Sequence, residues 1–240
     1  MVGEKWPKIL QELTPQQEVI SNDFMKYWHE ALGSNLLYRL IEEFNHGYVV
    51  KNAPNHFLRT LEIGAGLGEH LKYEKLSVDQ KKNYFALDLR ENMAEQIKIN
   101  FPEIQSYVAD CQQTLSFPEG YFDRVLAIHV LEHLPNLPAA VKEMYRLCNK
   151  EHGYFSVVIP CEGGLLYSLA RKMSAQRLFE RRYQQRYQWF IEREHINRPS
   201  EIVQELEPYF YIKHRQFFPF LLPIVHSNLC IGMTLYPRSL

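Results

Sequence analysis

The chain has 240 residues, of which 46% are hydrophobic, and this is enough to build one large hydrophobic core with further elements around it. Its 27 basic and 28 acidic residues leave a formal net charge of -1, which excludes a strong overall field for nucleic acid or an anionic membrane. The 4 cysteines form no CxxC pair, so neither a structural zinc cage nor a redox motif is indicated.

The residues before position 57 are predicted to be mostly helical. Their pattern favours helices over 16–28 and 35–44, with a break near Gly33 and Ser34. A loop that contains Pro54 then leads into the first strand.

The first strand runs into a glycine-rich turn. The mostly apolar run 57–61 suits a buried parallel strand, and Gly64, Gly66 and Gly68 follow it in a GxGxG spacing. A dinucleotide fingerprint needs GxGxxG, which would put the third glycine where this chain has Glu69. Glycines let the backbone bend sharply and let a ligand approach the main-chain N–H groups. The turn alone leaves two interpretations open, a ligand site and a tight turn that binds nothing.

Carboxylates end the next two strands. The short apolar run 84–88 ends in Asp88, and an acid at the end of the second strand of such a unit is placed to bind the two hydroxyls of a ribose. The run 106–110 ends in Asp110, where a side chain can meet an adenine amino group. These acids favour the ligand interpretation of the glycine turn.

Strands and helices alternate through the middle of the chain. Residues 122–133 supply a fourth strand that runs into a loop, and residues 153–160 supply a fifth. The helices between strands are predicted over 68–75, 91–100 and 138–149. Repeated strand–helix units indicate a mostly parallel sheet with both faces covered.

The pattern changes after the fifth strand. Residues 163–198 lack strand alternation and contain eight Arg or Lys against three Glu. Ser200 is a suitable N-cap for a helix over 201–207, and two β-rich runs follow over 209–217 and 228–235.

Taken together, these motifs resemble the class I S-adenosylmethionine-dependent methyltransferases, in particular the broad small-molecule group with a Val130-Leu131-Glu132-His133 segment after the fourth strand. The resemblance is close over 57–160 and looser over 199–240. It implies an α/β, Rossmann-like, doubly wound and mostly parallel seven-stranded sheet with an antiparallel terminal strand. It also implies that the two last β-rich runs pair at the sheet edge.

The resemblance implies one methyltransferase domain over 1–240. Residues 1–56 would form an N-terminal helical cap, and 57–160 the cofactor-binding core. Residues 161–198 would form a lid or substrate insertion after the fifth strand, and 199–240 a C-terminal helix and strand pair.

Carried over by motif, the resemblance implies S-adenosylmethionine as cofactor and ten residues that contact it: Glu62, Gly64, Ala65, Gly66, Asp88, Leu89, Asp110, Cys111, His129 and Val130. The first four would line the methionine portion, Asp88 would hold the ribose with Leu89 nearby, Asp110 and Cys111 would meet the adenine, and His129 and Val130 would close the near wall. Other roles stay open for the acids. Glu62 could cap local N–H groups, Asp88 could cap the helix that contains Glu91, and Asp110 could only stabilise a turn.

Residues 129–133 also fit HxxEH, an inverted zinc-protease pattern. That chemistry needs both histidines on one face of a helix and a further ligand downstream. Here His129 ends a predicted strand and Pro135 follows too closely for a stable helix. We therefore predict no metal site from this motif.

The methyl acceptor has to be inferred from residues 163–198 and the N-terminal helices, which the common core lacks. The stretch 177–190 interleaves bases and aromatic residues. This stretch could be a lid whose arginines bind a phosphate or carboxylate, a patch that stacks on RNA, or an amphipathic helix with a solvated basic face. His195, His129 and Tyr183 are the candidate catalytic bases, with Tyr187 as a further competitor.

The sequence favours methyl transfer to an oxygen or nitrogen of a small-molecule acceptor, including an anionic one. The alternatives are an RNA or protein methyltransferase that uses the basic segment, and a non-catalytic module that binds S-adenosylmethionine. Nucleic acid is disfavoured because the fourth strand is not followed by an Asn/Asp-Pro-Pro-aromatic motif. The free thiols and the absence of an apolar stretch at the N-terminus predict a cytoplasmic protein. The longest apolar run, 217–225, is broken by two prolines and is too short to span a bilayer.

Overall fold

The computed structural model describes residues 5–32, 36–54 and 56–239, and it is built around one seven-stranded sheet. The strands are β1 Thr60–Ile63, β2 Tyr84–Asp88, β3 Gln105–Val108, β4 Arg124–Ile128, β5 Tyr154–Pro160, β6 Phe210–Phe218 and β7 Cys230–Pro237. Their order across the sheet is β3-β2-β1-β4-β5-β7-β6.

Strands β1 to β5 are parallel, whereas β7 runs antiparallel to both β5 and β6. Every residue of β1, β2 and β5 is buried, as expected for parallel strands with helices on both faces. This arrangement confirms the predicted doubly wound sheet and the antiparallel pair at its edge.

Nine α-helices are described: α1 Pro15–Leu32, α2 Leu36–Lys51, α3 Val78–Lys82, α4 Glu91–Asn100, α5 Leu137–Leu147, α6 Leu165–Arg171, α7 Arg177–Tyr183, α8 Gln188–Glu194 and α9 Pro199–Leu206. A π-helical turn, Lys172–Gln176, joins α6 to α7. The predicted break near Gly33 and Ser34 lies outside the described residues. No helix of the described ranges is long and apolar enough to cross a membrane.

Two of the predicted helices differ in the structure. The helix expected over 68–75 is a single 3₁₀ turn, His70–Lys72, and a short helix, α3, follows after a capping box between Ser77 and Gln80. The C-terminal helix α9 begins before Ser200, because Pro199 occupies its first turn and Glu201 accepts a hydrogen bond from the Arg198 N–H at 3.0 Å.

Helix α2 covers one face of the sheet and lies against β4, β5 and β7. Its Tyr48 packs so closely on β7 that a Cβ added to Gly232 would lie 2.5 Å from the Tyr48 ring. The Tyr48 hydroxyl also lies 3.2 Å from Thr234 Oγ1 and 3.0 Å from His214 Nδ1. Helix α2 is therefore fixed across the antiparallel end of the sheet.

An aromatic cluster joins α1 to the helices inserted after β5. Phe24 of α1 meets Phe179, Tyr187 and Phe190 edge to face, with ring centroids 5.0–6.2 Å apart. All four side chains are buried. We call residues 163–198 the cover segment, and this cluster fixes it above the carboxyl ends of β4 and β5.

Candidate active site

The glycine turn and the ends of β2 and β3 meet at one edge of the sheet. The Ala65 N–H donates to the Leu87 carbonyl at 2.9 Å, and the Ala109 N–H donates to the Asp88 carbonyl at 3.1 Å. In a doubly wound sheet, the carboxyl ends of the strands form the crevice where ligands bind. The predicted cofactor residues on these three strands are therefore neighbours in space.

The glycine turn has a backbone that only glycine adopts without strain. Gly64, Gly66 and Gly68 have φ angles of 62°, 57° and 80°. A Cβ on Gly64 would lie 2.5 Å from Val130 Cγ2, so Val130 closes directly against the turn. The turn therefore presents bare backbone to the crevice.

The Asp88 carboxylate is fixed at the centre of this edge. Its Oδ2 accepts a hydrogen bond from the Gly66 N–H at 3.0 Å, and its Oδ1 accepts from the Arg90 N–H at 2.9 Å and from Arg90 Nε at 3.2 Å. Leu89, beside it, is 67% exposed and offers an apolar surface. Asp88 therefore ties the glycine turn to the residue before α4, and it does not cap that helix, whose N-cap is Arg90 without a side-chain capping bond.

The acid after β3 stabilises its own turn. Asp110 Oδ1 accepts hydrogen bonds from the Gln112 backbone N–H at 2.9 Å and from Gln112 Nε2 at 3.0 Å. The neighbouring Cys111 is buried, which raises the pKa of its thiol to about 12 and keeps it neutral. Asp110 has the turn role that the sequence left open, next to the predicted adenine position.

Glu62 lies on the face of β1 that α2 covers. Leu61 and Ile63 belong to the core packed on α5, and alternation along the strand turns Glu62 to the opposite face. There Glu62 Oε2 accepts a hydrogen bond from the Tyr84 hydroxyl at 2.6 Å, and burial raises the pKa of Glu62 to about 8. The structure thus pairs Glu62 with Tyr84 and does not bring its carboxyl to the glycine turn.

A cavity of about 400 Å³ adjoins the glycine turn and lies under the cover segment. Gly64 and Gly66 form its edge, and Phe24, Tyr187 and Phe190 form part of its apolar roof. The polar and charged residues that line it are Tyr38, Glu42, Asn45, His46, Glu69, His129, Glu132, His133, Tyr167, Arg171, Ser174, Glu194 and His195.

His129 and Glu132 form a buried pair on one wall. His129 has a left-handed φ of 53°, which turns its ring so that Nδ1 lies 3.1 Å from Glu132 Oε1. Burial opposes the charge of His129, but Cys230 and Glu132 beside it hold its pKa well above the ordinary value. Burial likewise opposes the charge of Glu132, but the three histidines around it lower its pKa to about 2.

His133 lies next to this pair, and burial lowers its pKa to about 4. Its ring meets that of His195 edge to face, with centroids 5.0 Å apart. His195 Nδ1 lies 2.9 Å from Glu162 Oε2, and Glu162 is in turn bound by Arg171. These residues come from the turn after β4, the end of β5 and the end of α8.

The structure brings two of the three predicted bases to the cavity. His129 and His195 line it, whereas the Tyr183 hydroxyl donates a hydrogen bond to Asp23 Oδ2 at 2.5 Å and lies outside the lining. Tyr183 is therefore not placed to act on a molecule in the cavity. His133 was missed as a candidate base, although it stands in the sequence motif.

The basic residues of the cover segment face away from the cavity. Among the described residues, Arg171 is the sole arginine or lysine in its lining, and its guanidinium lies 2.6 Å from Glu162 Oε1. The other basic side chains of the segment that are exposed to solvent are Lys172, Arg177, Arg181, Arg182, Arg186 and Arg198. Four glutamates and four histidines form the rest of the charged lining, so the geometry does not provide a lid that binds an anion through its arginines.

Several lining residues carried no signal in the sequence. Glu42 and His46 belong to α2, and Glu69 follows the glycine turn. Glu162 does not line the cavity but binds His195 and Arg171, which do. It stands just past β5, and a carboxylate after a strand end is the signal that also singled out Asp88 and Asp110.

Residues 61–157 match the family model of a methyltransferase domain. A comparison with curated protein sequences gave no significant match. The matched residues run from β1 to within β5 and include the glycine turn, Asp88, Asp110 and the segment around His129.

Solved structures with this fold cover nearly the whole chain. A methyltransferase from Thermotoga maritima, described as dependent on S-adenosylmethionine and as a possible histamine N-methyltransferase, superposes with a TM-score of 0.63 at 18% identity, over 92% of this chain and 99% of that one. The N-methyltransferase NodS from Bradyrhizobium japonicum, in complex with S-adenosylhomocysteine, gives 0.62 at 12% identity, over 92% and 98%. The PH0226 protein from Pyrococcus horikoshii gives 0.60 at 16% identity, over 85% and 93%. At these identities the likeness is one of fold.

Proposed function

The chain carries a class I S-adenosylmethionine-dependent methyltransferase domain, and from this premise we propose that it transfers a methyl group to an oxygen or nitrogen of a small-molecule acceptor. The observation that carries the proposal is the covered cavity beside the glycine turn. The fold supplies the cofactor crevice, and the cover segment supplies a closed space next to it.

S-adenosylmethionine is the cofactor, and the crevice fits it. The three glycines with positive φ leave bare backbone where a side chain would block the approach. In our proposal Gly64, Ala65 and Gly66 face the methionine portion, and Asp88 binds the ribose. The adenine lies between Leu89 and the Asp110–Cys111 turn, and His129 and Val130 bound the near side. Glu62 supports this edge from β1 through its bond to Tyr84.

The bound cofactor supplies a methyl group on a positively charged sulfur, which is already activated for transfer. The protein then has to align the acceptor, exclude water and let the acceptor's proton leave. The aromatic roof of Phe24, Tyr187 and Phe190 excludes water from the cavity. We place the departing proton on the histidine-lined wall at His195, because the raised pKa of His129 keeps that ring protonated beside Glu132.

The lining sets the chemistry of the acceptor. Its four glutamates and its tyrosine hydroxyls favour an acceptor with hydroxyl or amine groups that donate hydrogen bonds. An isolated anionic group would meet like charges here, because Arg171 is already paired with Glu162. Two fold neighbours are described as N-methyltransferases, one of them as possibly acting on histamine, and this supports a nitrogen acceptor beside the oxygen one.

Two measurements test the proposal. Calorimetry of the full chain with S-adenosylhomocysteine should show one binding event, and a nicotinamide dinucleotide should give no heat. Labelled methyl groups from S-adenosylmethionine, supplied to a cellular extract with the protein, should appear in the small-molecule fraction. Label found mainly in RNA or protein would show that the acceptor is a macromolecule and not a small molecule. No label in any fraction would favour a non-catalytic module that only binds S-adenosylmethionine.

A further inference from the structure

Three potential metal ligands lie together on the histidine-lined wall. Glu132, His133 and His195 each offer one ligand atom, and these atoms all lie within 4.8 Å of one another. Glu132 and His133 belong to the 3₁₀ turn after β4, and His195 ends α8, so elements far apart in sequence supply the set.

The backbone holds this arrangement in place. The N–H groups of Ile196 and Asn197 both donate to the Glu132 carbonyl, at 2.9 and 3.0 Å. The buried Asn197 side chain donates to the carbonyls of Leu131 and Leu134, each at 2.8 Å. His195 directly precedes Ile196 and Asn197. These main-chain bonds therefore set the distance between His195 and the turn that holds Glu132.

One carboxylate oxygen in the cluster lacks a partner. Glu132 is completely buried, and its Oε2 makes no hydrogen bond with any residue in the described ranges. Only Oε1 is engaged, by His129 at 3.1 Å. A buried unpartnered carboxylate oxygen costs stability, and its persistence at a cavity wall points to a ligand.

Carboxylates also stand behind both histidines. Glu162 Oε2 lies 2.9 Å from His195 Nδ1, which leaves His195 Nε2 for an ion. Glu194 Oε2 lies 3.7 Å from His133 Nδ1, while His133 Nε2 lies 3.9 Å from Glu132 Oε1. A carboxylate behind each ligand histidine is the usual way in which proteins orient imidazoles toward a metal.

We propose that Glu132, His133 and His195 bind a divalent transition-metal ion, with Zn²⁺ as the best match. Two histidines and one carboxylate form a zinc set of the open, catalytic kind, whereas Mg²⁺ and Ca²⁺ prefer oxygen ligands alone. In a tetrahedral zinc site with bonds of about 2.1 Å, neighbouring ligand atoms lie about 3.4 Å apart. The three ligand atoms therefore have to move together by up to about 1 Å when the ion binds.

The ligand set differs from the HxxEH reading of the same motif. His129 follows β4 and pairs with Glu132 Oε1, so it orients the carboxylate and is not a ligand. His195 is the third ligand, in addition to Glu132 and His133. When the ion is bound, His195 coordinates it and does not act as a base. Three protein ligands leave at least one coordination position, which faces the cavity because all three residues line it. An acceptor oxygen fits that position, and this last step rests on the proposed function.

Metal binding is tested without any methyl acceptor. The full chain, stripped with a chelator, is titrated with Zn²⁺ by calorimetry, and Co²⁺ is added in parallel to record its visible absorption. We expect one ion per chain, and a Co²⁺ spectrum typical of four or five nitrogen and oxygen ligands. His133→Ala and His195→Ala should each weaken Zn²⁺ binding more than tenfold, and Glu162→Gln should weaken it about tenfold by releasing the His195 ring.

His152→Asn is the matched control, because His152 is an exposed histidine paired with Asp123 outside the cavity. It should bind Zn²⁺ like the wild type. No stoichiometric uptake by the wild type, or equal affinity in the His133 and His195 variants, would overturn the proposal. The Glu162→Gln variant retains all three ligands. If it bound Zn²⁺ as tightly as the wild type, the proposal would be overturned even if an alanine variant failed to fold. S-adenosylhomocysteine binding, measured on the same samples, separates this result from that of the proposed function.

Discussion

Two carboxylates on neighbouring strands have opposite surroundings. Asp88 lies at the end of β2 and receives three hydrogen bonds from N–H groups of Gly66 and Arg90. Glu62 lies in the middle of β1 and receives one from Tyr84, in a fully buried position. The first carboxylate is fixed against the glycine turn, and the second affects how stability depends on pH.

Asp88→Ala should weaken binding of S-adenosylhomocysteine. The change removes the proposed ribose acceptor and frees the Gly66 N–H that shapes the glycine turn. Loss of a charged hydrogen-bond partner of this kind costs about 1–3 kcal/mol, which is roughly 5- to 150-fold in affinity. Calorimetry measures it, with Glu95→Ala on the exposed face of α4 as the control. Equal affinities for the wild type and Asp88→Ala would remove Asp88 from the cofactor site.

Glu62→Gln should change the pH dependence of stability. Burial raises the pKa of Glu62 to about 8, above its ordinary value of 4.5, so the folded chain holds a proton that the unfolded chain releases. This contribution to stability is fully present below the unfolded pKa and is lost as pH rises toward 8. A glutamine does not titrate, so the variant should gain about 3–4 kcal/mol over the wild type between pH 5 and pH 8.

Urea unfolding of both proteins at pH 5 and pH 8 gives the comparison for Glu62→Gln. The difference in the free energy of unfolding should grow with pH, while S-adenosylhomocysteine binding stays close to that of the wild type because glutamine has the same size and still accepts the hydrogen bond from Tyr84. Two stability curves that run parallel over this range would show that Glu62 is ionised in the folded protein.

At the scale of elements, the position of α2 decides much of the site. The helix contributes Glu42 and His46 to the cavity, and it is held on the sheet by Tyr48. Two glycines bracket this interface. Gly47 lies in α2 with nothing within 4 Å of an added Cβ, whereas a Cβ on Gly232 of β7 would lie 2.5 Å from the Tyr48 ring.

The two glycines should respond in opposite directions to alanine. Gly47→Ala should stabilise the protein by about 0.5–1 kcal/mol, because alanine is the better helix former and meets no neighbour. Gly232→Ala should destabilise it by about 1–3 kcal/mol, because the methyl group forces Tyr48 off the strand. Thermal unfolding measures both, and each variant serves as the other's control. A stable Gly232→Ala protein would mean that α2 can move on the sheet.

At the scale of the whole molecule, the cover segment and the sheet enclose the cavity together. The segment carries eight basic residues, most of them exposed, so trypsin can cut it wherever it opens. S-adenosylhomocysteine in the crevice would lie beside the cavity that the cover segment closes. Bound ligand should therefore slow tryptic cleavage within 163–198 relative to cleavage elsewhere. Mass spectrometry of the fragments locates the cuts. Equal cleavage with and without ligand would mean that the segment is a rigid layer.

The fold was largely predictable, because the signals that specify it are local. Apolar runs that end in Asp88 and Asp110, with a glycine turn before them, place the parallel strands and the crevice, and the helix over 91–100 has the predicted bounds. The cavity was not predictable to the same degree. Glu42 reaches it only because α2 crosses the sheet, and Tyr183 misses it because α7 turns that face toward α1. Helical periodicity shows that a helix has an apolar face, but not which neighbour that face will meet.

The placement of β7 has a consequence for how the protein is made. β7 follows β6 in the chain, yet it lies between β5 and β6 in the sheet. As the ribosome extends the chain, β6 therefore emerges without any strand to pair with, and the edge of β5 stays open until residue 237 has left the exit tunnel. Unpaired strand edges invite association with other chains. The nascent protein thus exposes an unpaired edge of β5 until β7 is inserted.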